Sequence, residues 1–393
     1  MLPTLGIAVP SAAGLAWAGL VFAEGCWRFL CEGLLGPLLQ HGKIRASLVL
    51  RQALFLCSLG LLVVLGEVGL STVLAAELAA SLLAALVALA GLTKHVRALP
   101  APSARVGWKA PAPRELWRVA LPMYGGHLLT LAYGPQVFLL LLQRFAGVET
   151  AAVFGFLHSL YAQAARYLPA TLLFSLVRPK LVASYVGGGG MAELSRNANL
   201  AGKLSLFVLM PVVSFSVAGG EALISLLSGG NFARTGLLFF AFMLALVPFS
   251  QRQLLETVAV TAGRARLCIL GAAVGLFTLP IMFWLLYSGA GPWAGVAALG
   301  AGHLLFALVV ISGLSGGGYR PDHAGLARLG MAAAAGAIAA GLVPRTASLW
   351  LDLLVLGAGA GLTFLVVAWL LSPFAPAERQ SMNYLLGREL FHV

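Results

Sequence analysis

The feature that most constrains this chain is a succession of apolar runs, each about 20 residues long, separated by short polar connections. A run of about that length crosses the hydrocarbon core of a bilayer as a helix. In lipid the backbone must satisfy its own hydrogen bonds, which leaves helices as the element for such runs. The expected fold is therefore an all-α polytopic membrane helix bundle. Composition supports this: 60% of residues are hydrophobic and 10% charged, against about 25% charged in a soluble domain. About eleven spans can be read, near 6–30, 46–66, 70–92, 119–142, 151–177, 199–219, 236–260, 267–287, 292–314, 329–343 and 348–371.

A net charge of +12 would suggest a nucleic-acid partner in a soluble protein. Its distribution argues otherwise. One alternating set of loops, with Lys43, Lys94, Arg178, Lys203, Arg264, Arg328 and Arg379 among its members, holds most of the 25 lysines and arginines. The opposite set holds only Arg144, Arg234 and Arg345. By the positive-inside rule the amino terminus is predicted outside and the carboxyl terminus in the cytoplasm. No nucleic-acid role is expected. The basic, proline-containing segment 93–118 reads as a cytoplasmic linker. It divides a lobe of three spans (1–92) from a lobe of eight (119–371), and 372–393 forms a cytoplasmic tail. The Gly187–Gly190 run reads as a further flexible turn.

Cys26, Cys31, Cys57 and Cys268 lie in or beside apolar spans without metal-ligand spacing. No Ser/His/Asp set or nucleophile elbow is visible, so no enzyme, metal or cofactor is expected. The first 27 residues carry no Lys or Arg, so a cleavable signal peptide is not expected.

Four arginines, Arg28, Arg51, Arg166 and Arg252, fall inside the spans. A guanidinium in hydrocarbon costs roughly 2.5–3.5 kcal/mol and cannot shed its proton. Such residues face a bundle interior or a wet cavity, and here their sign suits anionic cargo. Glu24, Arg28 and Glu32 follow an i, i+4, i+8 pattern that permits either a self-satisfied ladder or a ligand role for Arg28. Arg51 is close enough to a span end to snorkel, or to bind a ligand. Arg166 shares its span with His158 and Gln163, which predicts a polar stripe lining a cavity. Arg252 lies between Gln251 and Gln253, with Glu256 one turn on, and is placed in a cavity for the same reason. Glu77 has no partner in its own helix; it could pair with Arg51 or Arg166, or titrate. His127 and His303 are expected to make interhelical hydrogen bonds.

Four segments carry a resemblance: ELWRVALPMYGG at 115–126, RFAGVETAAVFGFLHSL at 144–160, VRPKLVASYVGGGG at 177–190 and ALISLLSGGNFARTG at 222–236. In order and spacing they resemble the polysaccharide-transporter branch of the multidrug/oligosaccharidyl-lipid/polysaccharide flippase superfamily, the O-antigen flippases. Residues 20–92 resemble it more weakly. The resemblance implies a two-lobed, MATE-like flippase fold in the bacterial inner membrane. It implies, as substrate, an undecaprenyl-pyrophosphate-linked oligosaccharide for surface polysaccharide and lipopolysaccharide synthesis. Transport would be by alternating access, one lobe rocking against the other, beside polymerase and glycosyltransferase machinery. Arg166 and Arg252 would be the principal head-group residues, with Arg28 and Arg51 as further ones. Glu77 and Glu256 would be the candidate coupling carboxylates. Family members usually carry about six spans before the central loop, so about three amino-terminal spans are expected to be missing and Met1 to be a misassigned start or a truncation. The alternatives are a cation-coupled drug or metabolite antiporter of the same superfamily and a non-transporting remnant.

Overall fold

The computed structural model describes residues 11–36, 38, 40–66, 68–98, 112–172, 174–344 and 348–380. The start of the first expected span, residues 99–111 of the linker, Arg345, the tail beyond 380 and the Glu32 side chain lie outside the described residues. The chain divides into two compact units, Met1–Ala110 and Pro111–Val393.

In the first unit, α1 (Ser11–Arg28) passes through a π-helical stretch, Phe29–Leu35, before α2 (His41–Leu65) and α3 (Leu70–Ala98). Small residues at helical spacing, Ala80, Ala84 and Ala88, form the buried stripe of α3. They admit the larger Trp27, Cys31 and Leu35 as packing partners. Trp27 Nε1 donates to Ser47 Oγ at 3.3 Å, and Lys43 Nζ to Gly91 O at 3.0 Å.

The second unit begins with α4 (Pro113–Ala132), whose first-turn Glu115 accepts a hydrogen bond from Ala112 N. It continues through α5 (Pro135–Ala146), α6 (Val148–Tyr167), α7 (Pro169–Leu172), α8 (Phe174–Ser184) and α9 (Gly190–Ser228). Then come α10 (Gly236–Thr261), α11 (Arg266–Gly275), α12 (Thr278–Tyr287), α13 (Pro292–Ser315), α14 (His323–Leu342) and α15 (Leu349–Leu371). Helix α10 is the hub, packing on α9 and α13. It buries Phe239, Phe242, Met243 and Leu246 against Phe154 and Leu157 of α6.

Nine runs among the described residues are long and apolar enough to cross a membrane. They correspond to nine of the eleven expected spans, and the chain is a multi-pass membrane protein. The other two are helices, α1 and α6, but their polar residues bring them below that hydropathy. Three expected spans are broken rather than continuous. The run 119–142 divides at Tyr133–Gly134, 151–177 divides at Leu168, and 267–287 divides at Leu276–Phe277. The glycine run expected as a flexible turn forms a π-helical turn, Tyr185–Gly189, between α8 and α9.

Helices α9, α14 and α15 meet through small side chains. Ser214 Oγ donates to Ala333 O at 2.7 Å. A Cβ on Gly336 would lie 2.8 Å from Ala360 O and 3.2 Å from Ser214 Oγ. Gly336→Val is therefore expected to push α14 off its neighbours, at about 1–3 kcal/mol for overpacking. A lowered melting temperature in detergent checks this; an unchanged one would mean that the three helices tolerate separation.

Lys203, counted in the sequence among the loop charges, is instead buried on α9, with 1% of its side chain exposed. Its Nζ donates to Asp322 Oδ2 at 2.6 Å, to Pro373 O at 3.2 Å and to Glu378 Oε2. The first residues after α15, at the start of the expected cytoplasmic tail, are thus tied to α9. Phe374 closes the site with its ring 5.6 Å from the ammonium. Burial alone would raise the Asp322 carboxyl. The Lys203 and Gly325 hydrogen bonds and the charges of Lys203 and Arg328 outweigh it and hold the pKa below the ordinary 3.8. A depressed folded-state pKa contributes stability above the unfolded value, and that contribution is lost as pH falls through the folded value. Melting temperature should therefore fall below pH about 4 for the native protein. Asp322→Asn should lower it at neutral pH and flatten that acid limb; an unaltered acid limb in the variant would contradict the assignment.

Candidate functional site

Two of the helix breaks build one cavity in the second unit, of about 320 Å³. At the first break, Pro135 starts α5 with a residue that has no N–H to offer α4, and Tyr133, Gly134 and Pro135 line the wall. At the second, Leu168 is extended because Pro169 follows it, and α6 stops there. Interrupted helices expose backbone polar groups, which membrane proteins tolerate where the break is buried or borders a cavity.

One face of α6 supplies His158, Tyr161, Ala162, Ala165 and Arg166, spaced i, i+3, i+4, i+7, i+8. Gln163 falls off that face and is exposed. Helix α10 contributes Phe249 and Arg252, one turn apart, and α13 contributes Leu299 and His303. Gln251 and Gln253 do not line this cavity, which corrects their expected place. Adjacent residues on a helix point about 100° to either side of Arg252. Gln251 Nε2 instead donates to Ser250 Oγ at 3.1 Å and to Gly202 O at 3.4 Å, against α9. Gln253 Oε1 is buried without a hydrogen-bond partner among the described residues.

Arg252 is held from three helices. Its Nε donates to Glu256 Oε1 at 2.9 Å and its Nη2 to Thr130 Oγ1 at 2.8 Å. Its Cζ lies 4.2 Å from the centroid of the Phe306 ring, a cation–π contact. Thr130 is itself fixed by donation to Gly126 O at 2.9 Å. Arg166 lines the same cavity, is exposed, and has no ion-pair partner among the described residues. The contrast matters: Arg252 is oriented and neutralised, whereas Arg166 carries a charge that no carboxylate among the described residues matches.

The wall has further polar groups. Tyr161 Oη and His303 Nε2 are 3.3 Å apart, the interhelical hydrogen bond expected of His303. His127, for which the same was expected, is exposed with no hydrogen bond among the described residues. His158 stacks on Tyr161 with ring centroids 5.5 Å apart. Tyr133 Oη and His303 Nδ1 are buried with no hydrogen-bond partner among the described residues. Each costs about 1–3 kcal/mol unless a polar group meets it.

Arg28, Arg51 and Glu77 belong to the first unit and form their own network. Arg51 Nε donates to Ser81 Oγ at 3.0 Å, and its Nη2 lies 3.3 Å from Glu77 Oε1. Its Nη1 is 3.8 Å from Glu24 Oε1. Cross-helix pairing with Glu77, rather than snorkelling alone, explains how Arg51 is accommodated at 11% side-chain exposure. Arg28 is paired with Glu24 at 2.7 Å and is largely exposed. Both candidate coupling carboxylates, Glu77 and Glu256, are therefore counter-ions of arginines.

Tyr133, Thr130 and Thr171 were not singled out by their sequence context. Pro135 and Pro169 inside apolar runs are the signal that marks the breaks.

No protein-family profile matches the chain, and no curated protein sequence matches it. Its fold is similar to a solved structure described as "Lipid II flippase MurJ, inward closed conformation". The TM-score is 0.61, over 94% of this chain and 72% of that one, at 11% sequence identity. At that identity the likeness establishes the fold alone: an all-α membrane helix bundle similar to that structure.

Proposed function

We propose that this protein translocates a lipid-linked oligosaccharide across the bacterial inner membrane, with the second-unit cavity receiving the diphosphate of its head group. The observation that carries the reading is Arg166, unmatched by a carboxylate among the described residues, lining the cavity that Arg252 also lines. Guanidinium groups bind phosphate oxygens in a planar, bidentate fashion. A space of about 320 Å³ lies at the low end for small-ligand sites. It suits a diphosphate and its first sugar, with the polyprenyl chain and the remaining sugars outside it. The likeness to a lipid II flippase supports translocation of a lipid-linked cargo in general. The motif resemblance to O-antigen flippases supports an undecaprenyl-pyrophosphate oligosaccharide in particular. Movement is by alternating access, with the amino terminus outside and the carboxyl terminus in the cytoplasm.

The test is transport in reconstituted vesicles. Labelled undecaprenyl-diphosphate oligosaccharide in the outer leaflet should become protected from a membrane-impermeant reagent faster in protein-containing vesicles than in empty ones. Equal rates would overturn the reading.

A further inference from the structure

A second, larger cavity, of about 700 Å³, lies in the second unit at the ends of four helices. Its walls are the first turns of α4, the turn from α10 into α11, and the end of α13 at Gly313. Three guanidinium groups line it, from Arg118, Arg264 and Arg266. The accompanying carboxylate, Glu115, is turned back to accept from Ala112 N at 3.3 Å. None of the three arginines has an ion-pair partner among the described residues.

The pocket is built rather than incidental. Gly263 takes the left-handed conformation (φ 72°) that closes the α10–α11 turn. That turn is fastened by Arg264 N to Ala259 O at 2.8 Å and Leu267 N to Arg264 O at 2.9 Å. Arg264 Nη1 then donates to Gly313 O at 2.6 Å, which fixes its guanidinium across the pocket to α13. Arg118, on α4, and Arg266, at the start of α11, are exposed. On the same turn of α4, Leu116 and Trp117 are 55% and 66% exposed. Exposed Trp beside basic residues at a helix end is the chemistry of the bilayer interface. Basic pockets between membrane helices at that level take anionic head groups.

We infer that this pocket binds the phosphate group of an anionic membrane lipid, either a phospholipid diester or a polyprenyl diphosphate. Arg264 is the fixed member, and Arg118 and Arg266 are the two that close on the phosphate. The site is separate from the 320 Å³ cavity and does not depend on transport, so it stands or falls by binding alone.

The measurement is binding of purified protein to vesicles of phosphatidylcholine alone, with added phosphatidylglycerol, or with added undecaprenyl diphosphate. The native protein should prefer one or both anionic vesicles over phosphatidylcholine. The double variant Arg118→Gln/Arg266→Gln should lose that preference roughly 30-fold, the order expected for two basic side chains at an anionic surface. The double Lys variant should retain most of it. A preference for phosphatidylglycerol assigns the phospholipid, and one for undecaprenyl diphosphate assigns the carrier. Should the Gln pair not fold, as judged by monodispersity, Arg118→Gln alone should cost about fivefold. Absence of any anionic preference in the native protein, or an undiminished preference in the folded variant, overturns the site.

Discussion

Arg166→Gln should slow translocation of undecaprenyl-diphosphate oligosaccharide into protected leaflets by roughly 10- to 100-fold, while leaving the melting temperature close to that of the native protein. The first half follows from the worth of a hydrogen bond to a charged group, about 1.5–3 kcal/mol, at about 1.4 kcal/mol per factor of ten. The second half follows from exposure and the lack of any ion-pair partner among the described residues. No carboxylate among the described residues is left unpaired when the guanidinium goes. Arg252 differs. Arg252→Gln also leaves Glu256 without its cation and Thr130 without its donor. That single variant mixes instability with loss of binding, so it should be read beside Arg252→Gln/Glu256→Gln. The double variant should recover stability but not transport. Arg166→Lys keeps the charge and loses the planar fork, and should fall between Gln and native. Native transport rates in folded Arg166 and Arg252 variants would remove the assignment of this cavity.

The largest structural effect is expected at Lys203. Lys203→Met retains the length of the side chain and removes its charge. Asp322 and the nearly fully buried Glu378 are then left facing each other without their cation. Stripping one partner from a buried ion cluster costs about 3–5 kcal/mol. The expected readout is a large fall in melting temperature together with rapid proteolysis within 372–380, the residues that Lys203 holds down. Lys203→Met/Asp322→Asn/Glu378→Gln should be less damaged than the single variant, because no uncompensated carboxylate remains. A Lys203→Met protein with native stability and native protease resistance would show that the cluster does not hold this segment.

Much of the bundle was legible because its signal is local. Nine spans follow from length and hydropathy alone, and the one-turn spacing of Arg252 and Glu256 permits the ion pair that the structure shows. The breaks were less so. Pro135 and Pro169 are visible in the sequence, but a proline within an apolar run is compatible with a kinked, continuous membrane helix. The division at Leu276–Phe277 has no proline at the joint, and Gly275, the last residue of α11, is its local trace. The contacts that fix Arg252 from α4 and α13 are separated from it by many residues, and periodicity says nothing about them. Gln251 and Gln253 show the opposite case. Polar density suggested that they shared a cavity with Arg252, yet helical geometry places immediate neighbours on other faces. Lys203 was misplaced because a charge near the start of an apolar run ordinarily marks a loop. A pair of acids far along the chain made its burial tolerable.

That distance has a consequence for how the protein is made. Glu378 lies 175 residues after Lys203. At roughly 5–20 residues per second of synthesis, the ammonium on α9 is produced about ten to thirty-five seconds before its last counter-charge. During that interval the nascent bundle carries a lysine whose final site cannot yet exist. The polar site around Lys203 on α9 is therefore completed only when synthesis has reached the segment after α15.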